Sequence, residues 1–112
     1  MAFDPLPSEH INGIEVDGTL LAIPLASIPE LTEAEVNSPN GDIRKVAYAL
    51  AQKLHSVYSN MLSEDKPAKW TTTRITTAPA EDSATATRTF TFTFQINNPL
   101  NSVGATDVVG ED

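Results

Sequence analysis

The segment Asp42–Leu62 constrains the fold most, because its apolar residues repeat with the spacing of an α-helix. These residues return to one side of a helix with 3.6 residues per turn. They are Ile43, Val46, Ala47, Leu50, Leu54, Val57, Tyr58 and Met61. The spacing predicts an amphipathic helix over 42–62, roughly 30 Å long at 1.5 Å per residue. Such a helix needs an apolar surface to pack on.

The segment 84–96, ATATRTFTFTFQI, is predicted to provide that surface. Its strict alternation puts aromatic rings on one face of a β-strand and hydroxyls on the other. The ring face carries Phe90, Phe92, Phe94 and Ile96, and the hydroxyl face carries Thr85, Thr87, Thr89, Thr91 and Thr93. With the β-branched segment Trp70–Thr77 it predicts an antiparallel hairpin over 70–96. We expect the helix to rest on the rings through Val46, Leu50, Leu54 and Val57.

Turn and cap signals organise the N-terminal part of the chain. Asp17-Gly18 predicts a tight hairpin between strands near 11–16 and 19–25. Thr32 and Glu35 have the spacing of a capping box, which predicts a short helix over about 32–36. The sequence therefore predicts one α+β core domain over 11–97: a long amphipathic helix packed on a small antiparallel β-sheet. Residues 1–10 and 98–112 are predicted to be extended N- and C-terminal arms.

The charges are segregated along the chain, whose formal net charge is −8. Residues 1–42 contain eight acidic residues and no Lys or Arg, whereas residues 43–74 have a net charge of +4. The acidic segment is expected to fold over its own basic helix or over that of a neighbour, and the sequence leaves both arrangements open. Free nucleic acid is a poor partner, because most of the surface would repel phosphate.

Sites for chemistry are not evident in the sequence. The absence of cysteine excludes disulfides and thiolate catalysis. His10 and His55 are far apart in the sequence, and His55 is interpreted as an imidazole on the helix surface. Acidic pairs fall in predicted loops, and glycine patterns that bind phosphate are missing. We expect no enzyme activity, no cofactor and no metal. We also expect no membrane span, because every uninterrupted apolar run, such as Leu20–Ile23, is far too short to cross a bilayer.

Candidate functional residues are therefore sought among groups that contact other proteins. Trp70 is either an interaction anchor or a ring that closes the end of the core, and Phe3 is the large aromatic residue of the N-terminal arm. The hydroxyl face (Thr87, Thr89, Thr91 and Thr93) suits either solvent or a sheet of another subunit. An alternative hypothesis is a small cytoplasmic adaptor that binds an acidic protein through Arg44, Lys45 and Lys53.

The helix DIRKVAYALAQKLHSVYSNML followed by WTTTRITT and TRTFTFTFQI resembles small structural proteins of cyanophages. The resemblance covers roughly residues 20–97 and points to the cement or decoration proteins of tailed-phage virions. It implies a dimer or trimer that binds the major capsid protein, or another virion protein, through arms and sheet edges. It also implies assembly into the virion in the host cytoplasm. A tail or connector subunit is a variant of the same hypothesis.

Overall fold

The computed structural model describes residues 3–37, 39–96, 104–105 and 108–110. In this part of the chain the fold is α+β, as predicted, with one long helix and two small antiparallel sheets. Most of the predicted C-terminal arm, including residues 98–103, lies outside the described residues. Within the N-terminal arm, Pro7–His10 form a one-turn helix, α1, which the prediction of an extended arm missed.

Two short strands, β1 (Glu15–Asp17) and β2 (Leu20–Ala22), form the first hairpin. Asp17 pairs with Leu20, so the two-residue turn is Gly18-Thr19 and lies one residue later than predicted. A 3-10 turn over Leu25–Ser27 follows. The Ser27 hydroxyl donates to the carbonyl of Asn12, which ties this segment back to the start of the hairpin.

The capping signals place both following helices. Helix α2 spans Glu33–Val36, and the Glu35 carboxylate accepts a hydrogen bond from the Thr32 backbone N–H at 2.8 Å. Helix α3 spans Ile43–Ser59, and Asp42 is its N-cap, because its Oδ1 accepts from the Arg44 N–H at 2.9 Å. Helix α3 is thus a few residues shorter than the predicted range of 42–62.

The long hairpin consists of β3 (Trp70–Thr77) and β4 (Thr87–Phe94). Its register runs from Trp70 opposite Phe94 to Thr77 opposite Thr87. Since Thr72 lies opposite Phe92, the even-numbered residues of both strands share one face, as the alternation predicted. Beyond β4, Val108 forms an isolated bridge with Ile96, so this part of the C-terminal segment pairs with its own hairpin.

The core lies between α3 and the segment 23–31. Among the described residues, the buried apolar side chains are Ile28, Leu31 and Ala49, with Ile23 and Val46 packed against them. The prediction that the Val46–Leu50–Leu54–Val57 stripe rests on the rings is wrong. Val46 packs on the 23–31 segment, and Leu50 and Leu54 remain 37% and 39% exposed.

The side of α3 that meets the hairpin is instead its aromatic and polar side. Tyr48 and His55 contact the ring of Phe90 edge-on, with centroid separations of 5.8 and 6.2 Å. Tyr58 meets Trp70 in the same way at 5.5 Å. Edge-to-face packing of this kind is favourable because the positive edge of one ring approaches the negative face of the other.

Candidate functional site

A layer of polar contacts joins α3 to the long hairpin. His55 Nδ1 lies 3.0 Å from Thr72 Oγ1, and Arg74 Nη1 donates to Gln52 Oε1 at 3.0 Å. Burial lowers the pKa of His55, and the positive charges of Arg74 and Lys66 lower it further. The interpretation of His55 as a surface imidazole is therefore wrong: the ring is half-buried and fixes the helix on the sheet.

Farther along this layer, Arg88 forms two contacts that sequence reasoning missed. Its Nη1 donates to the Tyr48 hydroxyl at 2.8 Å, and its Nε donates to Thr76 Oγ1 at 2.9 Å. The sequence alternation could have predicted these contacts, because Arg88 is an even-numbered residue of the strand and therefore lies on the ring face. These hydrogen bonds hold α3 on the long hairpin.

Phe3 and Trp70, the two aromatic residues singled out in the sequence, are brought to the same place. Both line a cavity of about 510 Å³ at the end of the long hairpin, together with Pro67, Phe94 and the segment 108–110. Trp70 stacks on Phe94 at 6.3 Å, and among the described residues its buried Nε1 has no hydrogen-bond partner. Trp70 therefore closes the end of the helix–hairpin layer and also presents a donor beside an apolar cavity.

The hydroxyl face of the long hairpin is solvent-exposed. Thr87, Thr89, Thr91 and Thr93 lie on it opposite Thr77, Ile75, Thr73 and Thr71 of β3, and all eight are exposed. Ile75 interrupts the threonines near the middle and is 64% exposed. We call these eight residues the threonine face. It lies on the side of the sheet away from α3 and has no charged side chains, and among the described residues its sheet has two strands.

A second exposed surface lies on α3 and was not predicted. Ile43 is 78% exposed, Leu50 37% and Leu54 39%, and Ala47 is exposed between them. These four residues, which we call the α3 seam, belong to the apolar side that the sequence assigned to the core. The apolar repeat correctly predicted an amphipathic helix, but it does not indicate which element or partner covers each part of the apolar side.

The basic residues of α3 pair with nearby acids. Arg44 forms an ion pair with Asp42 at 2.9 Å, and Lys45 Nζ lies 3.9 Å from Glu35. Hydrogen bonds from Arg44 lower the pKa of Asp42 to about 2. Hydrogen bonds with Thr32 lower the pKa of Glu35, and the charge of Lys45 lowers it further. Lys53 lines a shallow groove with Glu9 of α1. The acidic N-terminal segment thus neutralises part of its own helix, which is the intramolecular arrangement left open by the sequence.

In the part of the chain that the structure describes, no group of three or more His, Cys, Asp or Glu side chains is placed to hold a metal ion. The same residues include no helix that is both long and apolar enough to cross a membrane. Comparison with known proteins finds no matching family model, curated protein or solved structure.

Proposed function

We propose that this chain is a non-enzymatic structural subunit that completes its packing against other proteins, and that its assembly is a tailed-phage capsid. The carrying observation is the amount of surface that the chain exposes. Its accessible area is 8382 Å². A compact monomer of 12.0 kDa exposes only about 6,000 Å². The radius of gyration, 16.6 Å, likewise exceeds the roughly 13 Å of a compact chain of this length.

Several large apolar side chains are highly exposed at positions where a stable monomer would have polar side chains. Leu20 and Leu21 are each 68% exposed, Val16 is 73% exposed and Ile43 is 78% exposed. Large exposed apolar areas in folded proteins mark contact surfaces for other macromolecules. A small buried core with several uncovered apolar surfaces is what a subunit of a permanent assembly presents when it stands alone.

The long hairpin supports contact with a lattice of proteins. A two-stranded sheet is marginal by itself, and strand edges without partners are templates for pairing with another chain. The threonine face adds an exposed, uncharged surface that suits close contact with another sheet. The hairpin can therefore bind a neighbour through its edges and its open face together.

The resemblance of the helix and hairpin segments to cyanophage structural proteins supports a virion as the assembly. Within it, the open edges of the long hairpin favour a cement or decoration protein that binds the major capsid protein. A tail or connector subunit would use the same surfaces at another place in the particle. The adaptor hypothesis is weaker, because Arg44 and Lys45 already pair with Asp42 and Glu35.

The test is whether the chain is part of the particle and stabilises it. Particles should be purified from cells that carry the genome encoding this chain, with and without its coding sequence disrupted, and separated into heads and tails. We expect mass spectrometry to detect the chain in the head fraction, and disruption to lower the melting temperature of the heads. Purified protein added back should sediment with the deficient heads and restore their stability.

A matched pair of variants tests the surface used. Thr91→Glu adds a carboxylate to the centre of the threonine face, and Ala84→Glu adds the same charge to the exposed loop between β3 and β4. We expect Thr91→Glu to lose sedimentation with the heads and Ala84→Glu to retain it. Absence of the chain from purified particles would refute the proposal. Its presence only in tails would show that it is a tail subunit and not a cement protein.

A further inference from the structure

The α3 seam has the spacing of a helix–helix interface. Ile43, Ala47, Leu50 and Leu54 follow one another at intervals of 4, 3 and 4 residues, which is the heptad repeat of a coiled-coil seam. All four are exposed, whereas the buried Ala49 packs on the 23–31 segment at another side of the helix. The seam is therefore an additional apolar stripe beyond the one that the fold covers.

We propose that the seam binds the seam of a second copy of this chain, with the two α3 helices antiparallel. A two-fold axis between Ala47 and Leu50 sets Ile43 of one copy against Leu54 of the other, and Ala47 against Leu50. Each layer then contains at least one large residue, and the small Ala47 receives a leucine, so the layers interdigitate. A parallel pair in register would instead place Ala47 against Ala47 and leave that layer underfilled.

The chain exposes more surface than a compact monomer of its mass, and the seam is part of that surface. A stable interface of standard size removes about 800 Å² of surface from each partner. The chain exposes 8382 Å², which is about 2,400 Å² more than expected for a compact monomer of its mass. The surplus is about three times the area that one partner of a standard interface loses.

The seam and the threonine face do not compete for the same space. The side of α3 that contacts the rings, at Tyr48 and His55, is roughly a third of a turn around the helix from the seam. The threonine face lies on the opposite side of the hairpin from these rings. An α3 dimer thus presents two threonine faces, and two linked contacts hold a lattice more tightly than one. This consequence rests on the proposed function, whereas the dimer itself does not.

The first experiment measures the solution mass of the full chain by light scattering across micromolar to submillimolar concentrations. We expect twice the 12.0 kDa mass of one chain. Ile43→Glu and Leu54→Glu place unpaired carboxylates in the interface and should each raise the dissociation constant at least tenfold. The control is Ile75→Glu, which changes the 64% exposed isoleucine of the threonine face and should remain dimeric. Circular dichroism verifies that each variant is folded.

Disulfide cross-linking tests the orientation without disturbing the seam by charge, and the chain has no native cysteine to interfere. In the antiparallel dimer the two copies of residue 50 are offset by about 4.5 Å along the helix axes, and the two copies of residue 54 by about 16 Å. Cysteines whose Cα atoms are more than about 7 Å apart cannot form a disulfide. We expect Leu50→Cys to cross-link upon oxidation and Leu54→Cys not to.

Cross-linking of both variants would overturn the antiparallel arrangement. A wild-type monomer at all concentrations, or loss of the dimer in Ile75→Glu but not in Ile43→Glu, would overturn the seam interface itself. Neither result would contradict the proposed function, since a monomer detected in purified heads is still a capsid subunit. Conversely, a seam dimer that is absent from particles would refute the proposed function and leave this inference standing.

Discussion

Replacing Ile28 by alanine tests whether the segment 23–31 and α3 form the core that stabilises this chain. Ile28 is only 4% exposed, so nearly all of its side chain is removed from water. Ile28→Ala deletes three carbon groups at about 0.8 kcal/mol each, or about 2.4 kcal/mol of transfer free energy. A cavity then remains beside Leu31 and Ala49, although Ile23 and Val46, which are only partly buried, can move inward. The expected loss is about 3 kcal/mol in the free energy of unfolding.

The assay is urea denaturation followed by circular dichroism, at a protein concentration low enough to avoid self-association. In a separate thermal denaturation, the same loss of about 3 kcal/mol would lower the melting temperature by roughly 12 °C in a domain of this size. The control is Leu20→Ala, because Leu20 is 68% exposed and its truncation should change stability by less than about 0.5 kcal/mol. If Ile28→Ala matched this control, the core would not lie where α3 meets the 23–31 segment.

Two further predictions concern a titration and a turn. Because burial lowers the pKa of His55 below 6.5, the unfolded chain binds a proton at a pH where the folded chain does not. The free energy of unfolding should therefore fall as the pH drops below about 6.5. Urea denaturation of the wild type and of His55→Gln at several pH values isolates this contribution, and parallel pH profiles of the two proteins would refute it. Gly13 has a φ of +82°, and a Cβ there would lie 2.6 Å from Pro24 Cγ. Gly13→Ala should therefore cost at least about 1 kcal/mol more than Gly18→Ala, whose φ is +64° but whose Cβ would meet nothing within 4 Å; equal melting temperatures would contradict this.

The sequence by itself determined the local structure of this protein. The position of α2 followed from the capping-box spacing of Thr32 and Glu35, and that of α3 followed from the repeat of its apolar residues. The two faces of the long hairpin followed from strict alternation, since neighbouring strand residues must point in opposite directions. These signals act over a few residues, so no distant part of the chain can overrule them easily.

The candidate surfaces were only partly predictable. The β4 threonines were identified correctly as a separate face of their strand, whereas the β3 residues that share this face were not named. Phe3 and Trp70 were identified singly, but their meeting at one cavity was not foreseen. The tertiary fold brings Phe3 and Trp70 to the same cavity, and no spacing in the sequence relates the two residues. The pairing of Lys45 with Glu35 likewise depends on how α2 lies against α3.

The tertiary structure alone decided which side of α3 is covered by which partner. Apolar residues occupy much of the helix circumference, and the periodicity fixes their angles around the helix axis without choosing between the hairpin, the 23–31 segment and solvent. The choice was made by contacts across the chain: Tyr48 and His55 meet Phe90, and Val46 packs beside Ile28. Ile43 and Leu54 are left exposed because, within the described residues, both the hairpin and the 23–31 segment pack on other sides of α3.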